Sequence, residues 1–199
     1  MSSPYLNDTA SIILSYTYAG ATQLRSTVSF PVCSIIETGA FRGCIYTPSY
    51  DFPMCEQVGA GAFRMNYRLQ TVSLPICKTI GNAAFDMCSS IISIVLPSVL
   101  VLDSNAFSYC KGLKMISLPA CNQIENFAFA SCMNLLSVYL LGSSLCALGG
   151  SSVFWTTPIS DYTTSTSGVH GSIFVPASLY DSYKTATNWV TYSARFVSV

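Results

Sequence analysis

Charge is what this chain has least of. Nine Lys plus Arg balance nine Asp plus Glu over 199 residues, a charged fraction of 9% with no net charge. Without a basic excess there is no electrostatic footprint for nucleic acid or an anionic bilayer, and polyanion partners are not expected from the overall charge. Histidine is nearly absent: His170 is the only one. Long apolar runs are missing too. The longest, Ile91 to Leu102 (IISIVLPSVLVL), is broken by Ser93, Pro97 and Ser98. It falls short of the roughly 20 residues that a membrane-crossing helix needs, so no membrane insertion is expected and the chain reads as soluble. The opening stretch, MSSPYLNDTASIILSY, lacks a basic region followed by an unbroken apolar one, and no signal peptide is read from it.

What is present is apolar residue and repetition. Hydrophobic side chains make up 51% of the chain, ample for one core in a domain of this size. The pair Ala-Phe recurs at Ala40-Phe41, Ala62-Phe63, Ala84-Phe85, Ala106-Phe107 and Ala128-Phe129, with a step of 22 residues each time. The same step links Phe30-Pro31, Phe52-Pro53, Leu74-Pro75, Leu96-Pro97 and Leu118-Pro119, and continues to Leu140 without its proline. Two residues earlier runs a column of Val28, Tyr50, Val72, Ile94, Ile116 and Val138, and further on one of Ile36, Val58, Ile80, Leu102 and Ile124. The unit L-x-x-V-x-L-P-x-C-x-x-I-x-x-x-A-F-x-x-C-x-x is written about six times.

Its spacing dictates a shape. Alternation in Val72-Ser73-Leu74 puts two side chains on one face of a short strand, and the following proline ends it because it has no N–H for the next ladder bond. One strand per repeat is therefore expected. Ile80, Ala84 and Phe85 fit a compact turn or a single helical turn that brings the chain back over that strand. No repeat can bury its face alone, so the repeats stack into a solenoid, with like residues about 4.8 Å apart.

The stretches LPICKTIGNAAFDMC (Leu74 to Cys88) and ACNQIENFAFASC (Ala120 to Cys132) resemble the BspA-type leucine-rich repeats, a strand ending in LP followed by IGxxAFxxC. The resemblance covers roughly Ser26 to Leu141. The terminal GSIFVPASLYDSYKTATNWVTYSARFVSV is similar to the closing segment of gut-bacterial and bacteriophage members, where a last strand leads into a short helix. The resemblance implies a leucine-rich-repeat right-handed β/α superhelix of about six 22-residue repeats, with short parallel strands and caps at both ends. The expected division is residues 1–25 as an N-terminal cap or partial repeat, 26–147 as the repeats, and 148–199 as an insertion loop, last strand and C-terminal capping helix. It also implies a surface-displayed adhesion or recognition module rather than an enzyme, with no cofactor.

The end segments have their own logic. Ile173 and Val175 alternate as a strand stopped by Pro176, but they come 13 residues late on the 22-residue step, the insertion being FWTTPISDYTTSTSGVHG. Ser178 is placed to cap a helix whose Leu179, Tyr183 and Ala186 cover the last rung. At the other end Ile12, Ile13, Leu14, Tyr16 and Tyr18 are candidates to pack over the first rung.

The nine cysteines fall into the same grid. Cys33, Cys55, Cys77 and Cys121 share one column, with Val99 in its gap; Cys44, Cys88, Cys110 and Cys132 share another, with Asn66 in its gap. Cys146 stands in the Ile column on the 22-residue step. Zinc needs four ligands converging on a tetrahedron, whereas ladder residues run in parallel rows, so metal is disfavoured. Parallel Cβ atoms about 4.8 Å apart are too far for a disulfide without distortion. Nucleophilic use needs a paired base, and the one histidine sits in the variable loop. The cysteines are read as small buried hydrophobes. Asn66 is left without an explanation by the ladder.

The remaining chemistry is sparse. His170 with Asp161 or Ser167 makes at most a triad fragment in a Ser/Thr/Gly-rich loop. Asp51, Glu56, Asp86 and Asp103 lie in different columns and do not obviously converge on a cation, although calcium at a turn stays open. Gly59/Gly61 and Gly149/Gly150 lack a P-loop lysine and read as turn residues. Binding, if any, belongs to exposed columns. The outward strand rows, Thr27, Ser49, Thr71, Ser93, Met115, Ser137 and Ser29, Asp51, Ser73, Val95, Ser117, Tyr139, are mostly small and hydroxylated. Arg42 and Arg64 share a column, Tyr46 and Arg68 another, with Tyr67 between; these are residue types favoured at hot spots, and equally types that solubilise a charge-poor edge. Trp155 and Tyr162 are the anchors of the long loop.

Two functions follow as expectations. The first is a recognition or adhesion module on the cell surface or secreted, presenting a rigid repeat surface to a protein or glycan on a host or neighbouring cell. The alternative is a structural or receptor-binding component of a bacteriophage virion assembled with other virion proteins in a bacterial cytoplasm, with which reduced cysteines are compatible.

Overall fold

The computed structural model describes residues 9–160 and 170–199. In chain order the strands are β1 (Ile12–Ile13), β2 (Val28–Ser29), β3 (Ile35–Ile36), β4 (Ser49–Asp51), β5 (Gln57–Val58), β6 (Thr71–Ser73), β7 (Thr79–Ile80) and β8 (Ser93–Val95). They continue with β9 (Val101–Leu102), β10 (Met115–Ser117), β11 (Gln123–Ile124), β12 (Ser137–Tyr139), β13 (Ala147–Leu148), β14 (Ser172–Val175) and β15 (Phe196–Ser198).

Each full rung contributes two strands, where the alternation announced only one. The odd-numbered strands from β1 to β13 form a seven-stranded parallel sheet built on the Ile column. The sequence hides these strands because they are two residues long: Ile80 is buried and Thr79 exposed, too short a run to display a period. The strands ending in Leu-Pro or Phe-Pro form a second wall. This wall is split into β2-β4-β6 and β8-β10-β12-β14-β15, with no ladder bonds between β6 and β8. The split falls where the interior changes from Phe30, Tyr50 and Phe52 to Leu74, Ile94 and Leu96. The 22-residue columns are otherwise in register, with Tyr50 opposite Val72 and Ile116 opposite both Ile94 and Val138.

The return side of each rung is an irregular turn, not the helical turn that was the other expectation, so the repeats form a parallel β-solenoid without helices in them. Two positions per rung take a left-handed backbone. Gly39, Gly61, Ala83, Asn105 and Phe127, two residues before the ladder Phe, have φ of 52 to 62°. Gly43, Met65, Met87, Tyr109 and Ser131, two residues after it, have φ of 55 to 71°. A helix requires consecutive right-handed residues, which this alternation forbids. The turns instead aim their amides along the stack: the N–H groups of Phe41, Phe63, Phe85 and Phe107 donate at 2.8 Å to the carbonyls of Ala62, Ala84, Ala106 and Ala128.

Inside, the phenylalanines stack. Phe41, Phe63, Phe85, Phe107 and Phe129 are separated by 5.4, 5.0, 5.0 and 5.9 Å between centroids, with planes within 14° of parallel. Phe154 extends the ladder at 5.4 Å from Phe129, and Tyr18 begins it at 5.1 Å from Phe41. The insertion loop therefore does not start at Phe154, as the 22-residue step suggested; that residue is the fully buried seventh ring. The step also lengthens here. Ile124 pairs with Leu148, 24 residues on, so Leu148 and not Cys146 continues the Ile column.

At the N-terminal end β1 pairs with β3, and the amides of Tyr16, Tyr18 and Gly20 donate to Thr38, Ala40 and Arg42. Residues 12–20 thus have the backbone of a rung. Of the five residues considered for packing there, Ile13 is buried and Tyr18 packs on the core, whereas Ile12, Leu14 and Tyr16 are exposed: Ile12 is on the outer face of β1, and Tyr16, with φ of 57°, takes the left-handed turn position two residues before the ring.

At the C-terminal end Val138 pairs with Ile173, and β15 adds a strand that the sequence did not announce. The helix α1 (Tyr180–Thr185) follows a 3-10 turn at Ala177–Leu179, so Ser178 lies inside that turn and caps nothing; no side chain caps α1. The expected face is correct: Tyr183 is buried, and Leu179 and Ala186 pack against the core. Trp189 and Tyr192 complete the cover. The Cys146 amide donates to Tyr183 Oη at 3.0 Å, Trp189 Nε1 donates to the Cys146 carbonyl at 2.6 Å, and Asn188 Nδ2 donates to the Leu148 carbonyl at 2.8 Å. Amphipathic aromatics thus seal the apolar end and satisfy backbone groups of the last rung.

Candidate binding surface

All nine cysteines are free and buried. They are more than small hydrophobes, because their thiols donate to main-chain carbonyls. Cys88, Cys110 and Cys132 donate to Phe63, Phe85 and Phe107, each 25 residues back, at 3.0 to 3.1 Å. In the other column Cys33, Cys55, Cys77 and Cys121 each donate to the carbonyl two residues on, at 3.3 Å. Burial pushes Cys33 up to about 11 and Cys132 up to about 12, and raises Cys88 and Cys110 as well. Cys55 and Cys146 are held protonated first by a hydrogen bond to the neighbouring thiol, Cys77 and Cys121 respectively, and then by burial. The partners in those two bonds, Cys77 and Cys121, are shifted the other way, lowered first by the same thiol–thiol hydrogen bond, but both are buried, so these thiols are out of reach of a substrate.

The gap in the second column has a physical reason. Asn66 Nδ2 donates to the Phe41 carbonyl, 25 residues back, at 2.8 Å, the same contact a cysteine makes there, and also to its own rung's Phe63 carbonyl at 2.8 Å. Its Oδ1 accepts from Tyr50 Oη at 3.3 Å.

The exposed columns are where binding residues are sought. Of the seven residues singled out in the sequence, the structure brings Tyr46 and Arg68 together and adds Arg25, which lies off the repeat grid and was missed. The Arg25 guanidinium is 4.6 Å from the Tyr46 ring centre and that of Arg68 is 5.5 Å away. These three, with Pro48, Gln70 and Ser90, line an open groove of about 380 Å³. The arrangement is a property of the stack: Tyr46, Arg68 and Ser90 are one column at successive rungs, and the N-terminal rung delivers Arg25 beside them.

The four others that are described do not join it. Arg64 reaches along its column to Asp86, Nε to Oδ2 at 2.9 Å, the one ion pair among the described residues. Asp86 is almost buried, and burial pushes its carboxyl pKa above the usual value although Arg64 pulls the other way. Arg42 is half-buried in the same column. Tyr67 is exposed, and its carbonyl accepts the Ser90 hydroxyl at 2.6 Å. Trp155 is exposed near the far end, edge-on to Phe127 at 6.3 Å. Tyr162, Asp161 and Ser167 lie outside the described residues, and His170 is exposed. Among the described residues no three His, Cys, Asp or Glu side chains are placed to hold a metal ion, and no helix is long and apolar enough to cross a membrane. The outward strand rows carry short hydroxyl contacts such as Thr27 Oγ1 to Ser49 Oγ at 2.7 Å and Ser29 Oγ to Asp51 at 3.2 Å.

Comparison with known proteins agrees with the repeat grid. The profile described as "BspA type Leucine rich repeat region" matches residues 11–136 in six copies. No curated protein matches the chain. A leucine rich cell surface protein from Faecalibacterium prausnitzii is 27% identical over 60% of this chain and 32% of its own, with a TM-score of 0.55. A leucine-rich repeat protein from Eubacterium ventriosum superposes over 79% of this chain and 49% of its own, with a TM-score of 0.63 at 19% identity, a likeness of fold. The chain thus spans a third to a half of the length of these two structures.

Proposed function

Because the chain belongs to the BspA-type leucine-rich repeat family, we propose that it is a non-enzymatic recognition module that presents one rigid face to a protein or glycan on another surface. The observation that carries this reading is the convergence of Arg25, Tyr46 and Arg68 on one open groove, just before strands whose outward rows are mostly small and hydroxylated. The scaffold is suited to the task. Its stability is stored in the buried ladders, so outward side chains are free to vary without cost to the fold. Arg and Tyr are the residue types that dominate binding hot spots. Display at a cell surface is supported by the description of the F. prausnitzii neighbour, and it is part of this proposal.

The test is a binding screen of the immobilised protein against extracellular proteins and surface glycans, run beside the double variant Tyr46→Ala/Arg68→Ala. Selective capture by the native protein that the variant loses supports the reading. Silence across the screen, or capture that the variant retains in full, overturns this assignment of the groove.

A further inference from the structure

The groove has a charge that none of its lining residues answers. Arg25 and Arg68 both face Tyr46, and no Asp or Glu is among the six lining residues. The one ion pair among the described residues is elsewhere, between Arg64 and Asp86. In a chain with only nine basic residues, two guanidiniums held beside one ring without a carboxylate are a local excess of positive charge. The ring holds the guanidiniums by cation–π attraction to its face, which does not consume their N–H donors. Arg25 uses its Nε on the Thr22 carbonyl at 3.1 Å, a bond that also steadies the side chain. A planar fork of donors fits a carboxylate bidentately, and two forks fit one better than a lone surface arginine does.

The rest of the lining says what carries the carboxylate. Gln70 offers an amide with both donor and acceptor, and the Ser90 oxygen is free to accept because its proton goes to the Tyr67 carbonyl at 2.6 Å. Pro48 is the sole aliphatic side chain in the lining, so the groove gives an apolar peptide anchor little to bind. At about 380 Å³ it is at the low end of the roughly 300–1,000 Å³ of small-ligand sites. That size suits a sugar ring or two better than a folded protein surface. We infer that the Arg25–Tyr46–Arg68 groove binds a carboxylate-bearing sugar, a uronic or sialic acid residue of a glycan. This rests on the recognition reading above and narrows its ligand to acidic glycans.

The probes are sialyllactose and a galacturonic acid trisaccharide, with lactose, the trisaccharide methyl ester and a poly-glutamate peptide as comparators, titrated calorimetrically onto the whole chain. The expected result is binding of at least one acidic sugar, weakened tenfold or more by loss of its charge. Arg68→Gln and Arg25→Gln should each weaken it about tenfold, the equivalent of about 1.4 kcal/mol. Raised salt should weaken it too. Both arginines are exposed, so an unchanged thermal midpoint will show that the variants fold. Neutral and acidic sugars binding alike, or poly-glutamate displacing the sugars as the tighter ligand, overturns the acidic-sugar assignment while leaving a recognition role intact. No sugar binding, with a protein partner found in the screen above, does the same.

Discussion

Tyr50 and Asn66 are partners across the interior: the Tyr50 hydroxyl donates to Asn66 Oδ1 at 3.3 Å, and both residues are buried. Each interrupts a column of its own. Tyr50 stands among Val and Ile, and Asn66 stands among cysteines. The amide reproduces the thiol's donation to the carbonyl 25 residues back and supplies the acceptor that the extra hydroxyl needs.

The pair should therefore be energetically coupled. Asn66→Cys restores the column but removes the acceptor for Tyr50, at a cost of about 1–3 kcal/mol. In the background of Tyr50→Phe the same substitution should cost less, with a coupling of at least about 0.5 kcal/mol in a double-mutant cycle read by urea unfolding. Strict additivity would show that the two irregularities are independent.

The contrast between these residues and their columns explains what the sequence reveals. Recurrence at a fixed step exposes whatever every rung shares, so the Phe, Leu-Pro, Ile and Cys ladders could be read without coordinates. Relations that occur once leave no recurrence. Asn66 looked like a gap until Tyr50, 16 residues away, was seen to reach it. Arg25 was invisible because its rung departs from the 22-residue step, and Cys146 was misplaced because the step stretches to 24 at Leu148. The second sheet escaped for a different reason, since two-residue strands cannot show alternation. The αL turns are hidden because Met87, Tyr109 and Phe127 occupy positions where glycine is the usual signal.

Phe85 sits 5.0 Å from both Phe63 and Phe107 and is fully buried. Truncation removes two stacking partners and opens a cavity that rigid rungs cannot collapse around. Phe85→Ala should cost about 3–5 kcal/mol in urea unfolding. A loss below about 1 kcal/mol would contradict the packing described here.

Ala83 holds a φ of 52°, where its neighbours Gly39 and Gly61 carry no side chain. The left-handed region costs an L-residue about 1–2 kcal/mol. Glycine removes that strain and adds about 0.5–1 kcal/mol of unfolded-chain entropy. Ala83→Gly should therefore stabilise the protein by about 0.5–1 kcal/mol, whereas Ala84→Gly, one residue on and buried in the ladder, should destabilise it. A destabilised Ala83→Gly would refute the turn geometry.

Alkali should unfold this solenoid through its interior. Cys33 is pushed up to about 11 and Cys132 up to about 12 by burial, and Tyr183 also to about 12, from ordinary values of 9.0 for the thiols and 10.0 for the phenol. A folded-state value raised above the unfolded one means the folded state keeps protons that the unfolded chain releases. The stabilisation is complete below about pH 9 and is lost as pH climbs toward 12. The urea midpoint should hold steady from pH 7 to 8.5 and then fall. Cys132→Val should flatten the decline. A midpoint that rises above pH 9 would reverse the assignment of these thiols as buried and protonated.

Asp86 obeys the same sign at the acid end. Burial raises it from 3.8 and Arg64 only partly compensates, so its contribution is favourable below about pH 4 and is lost as pH rises through the folded value. Asp86→Asn removes a carboxylate that is costly to keep charged. It leaves Arg64 able to turn to water, since that side chain is 35% exposed. The variant should match or exceed the native protein at pH 7, within about 1 kcal/mol, and its relative advantage should shrink as pH falls to 4. If the variant is instead weaker by well over 1 kcal/mol at pH 7 and recovers toward acid, the 2.9 Å contact with Arg64 outweighs the burial. The pair would then be a stabilising strut between rungs rather than a tolerated charge.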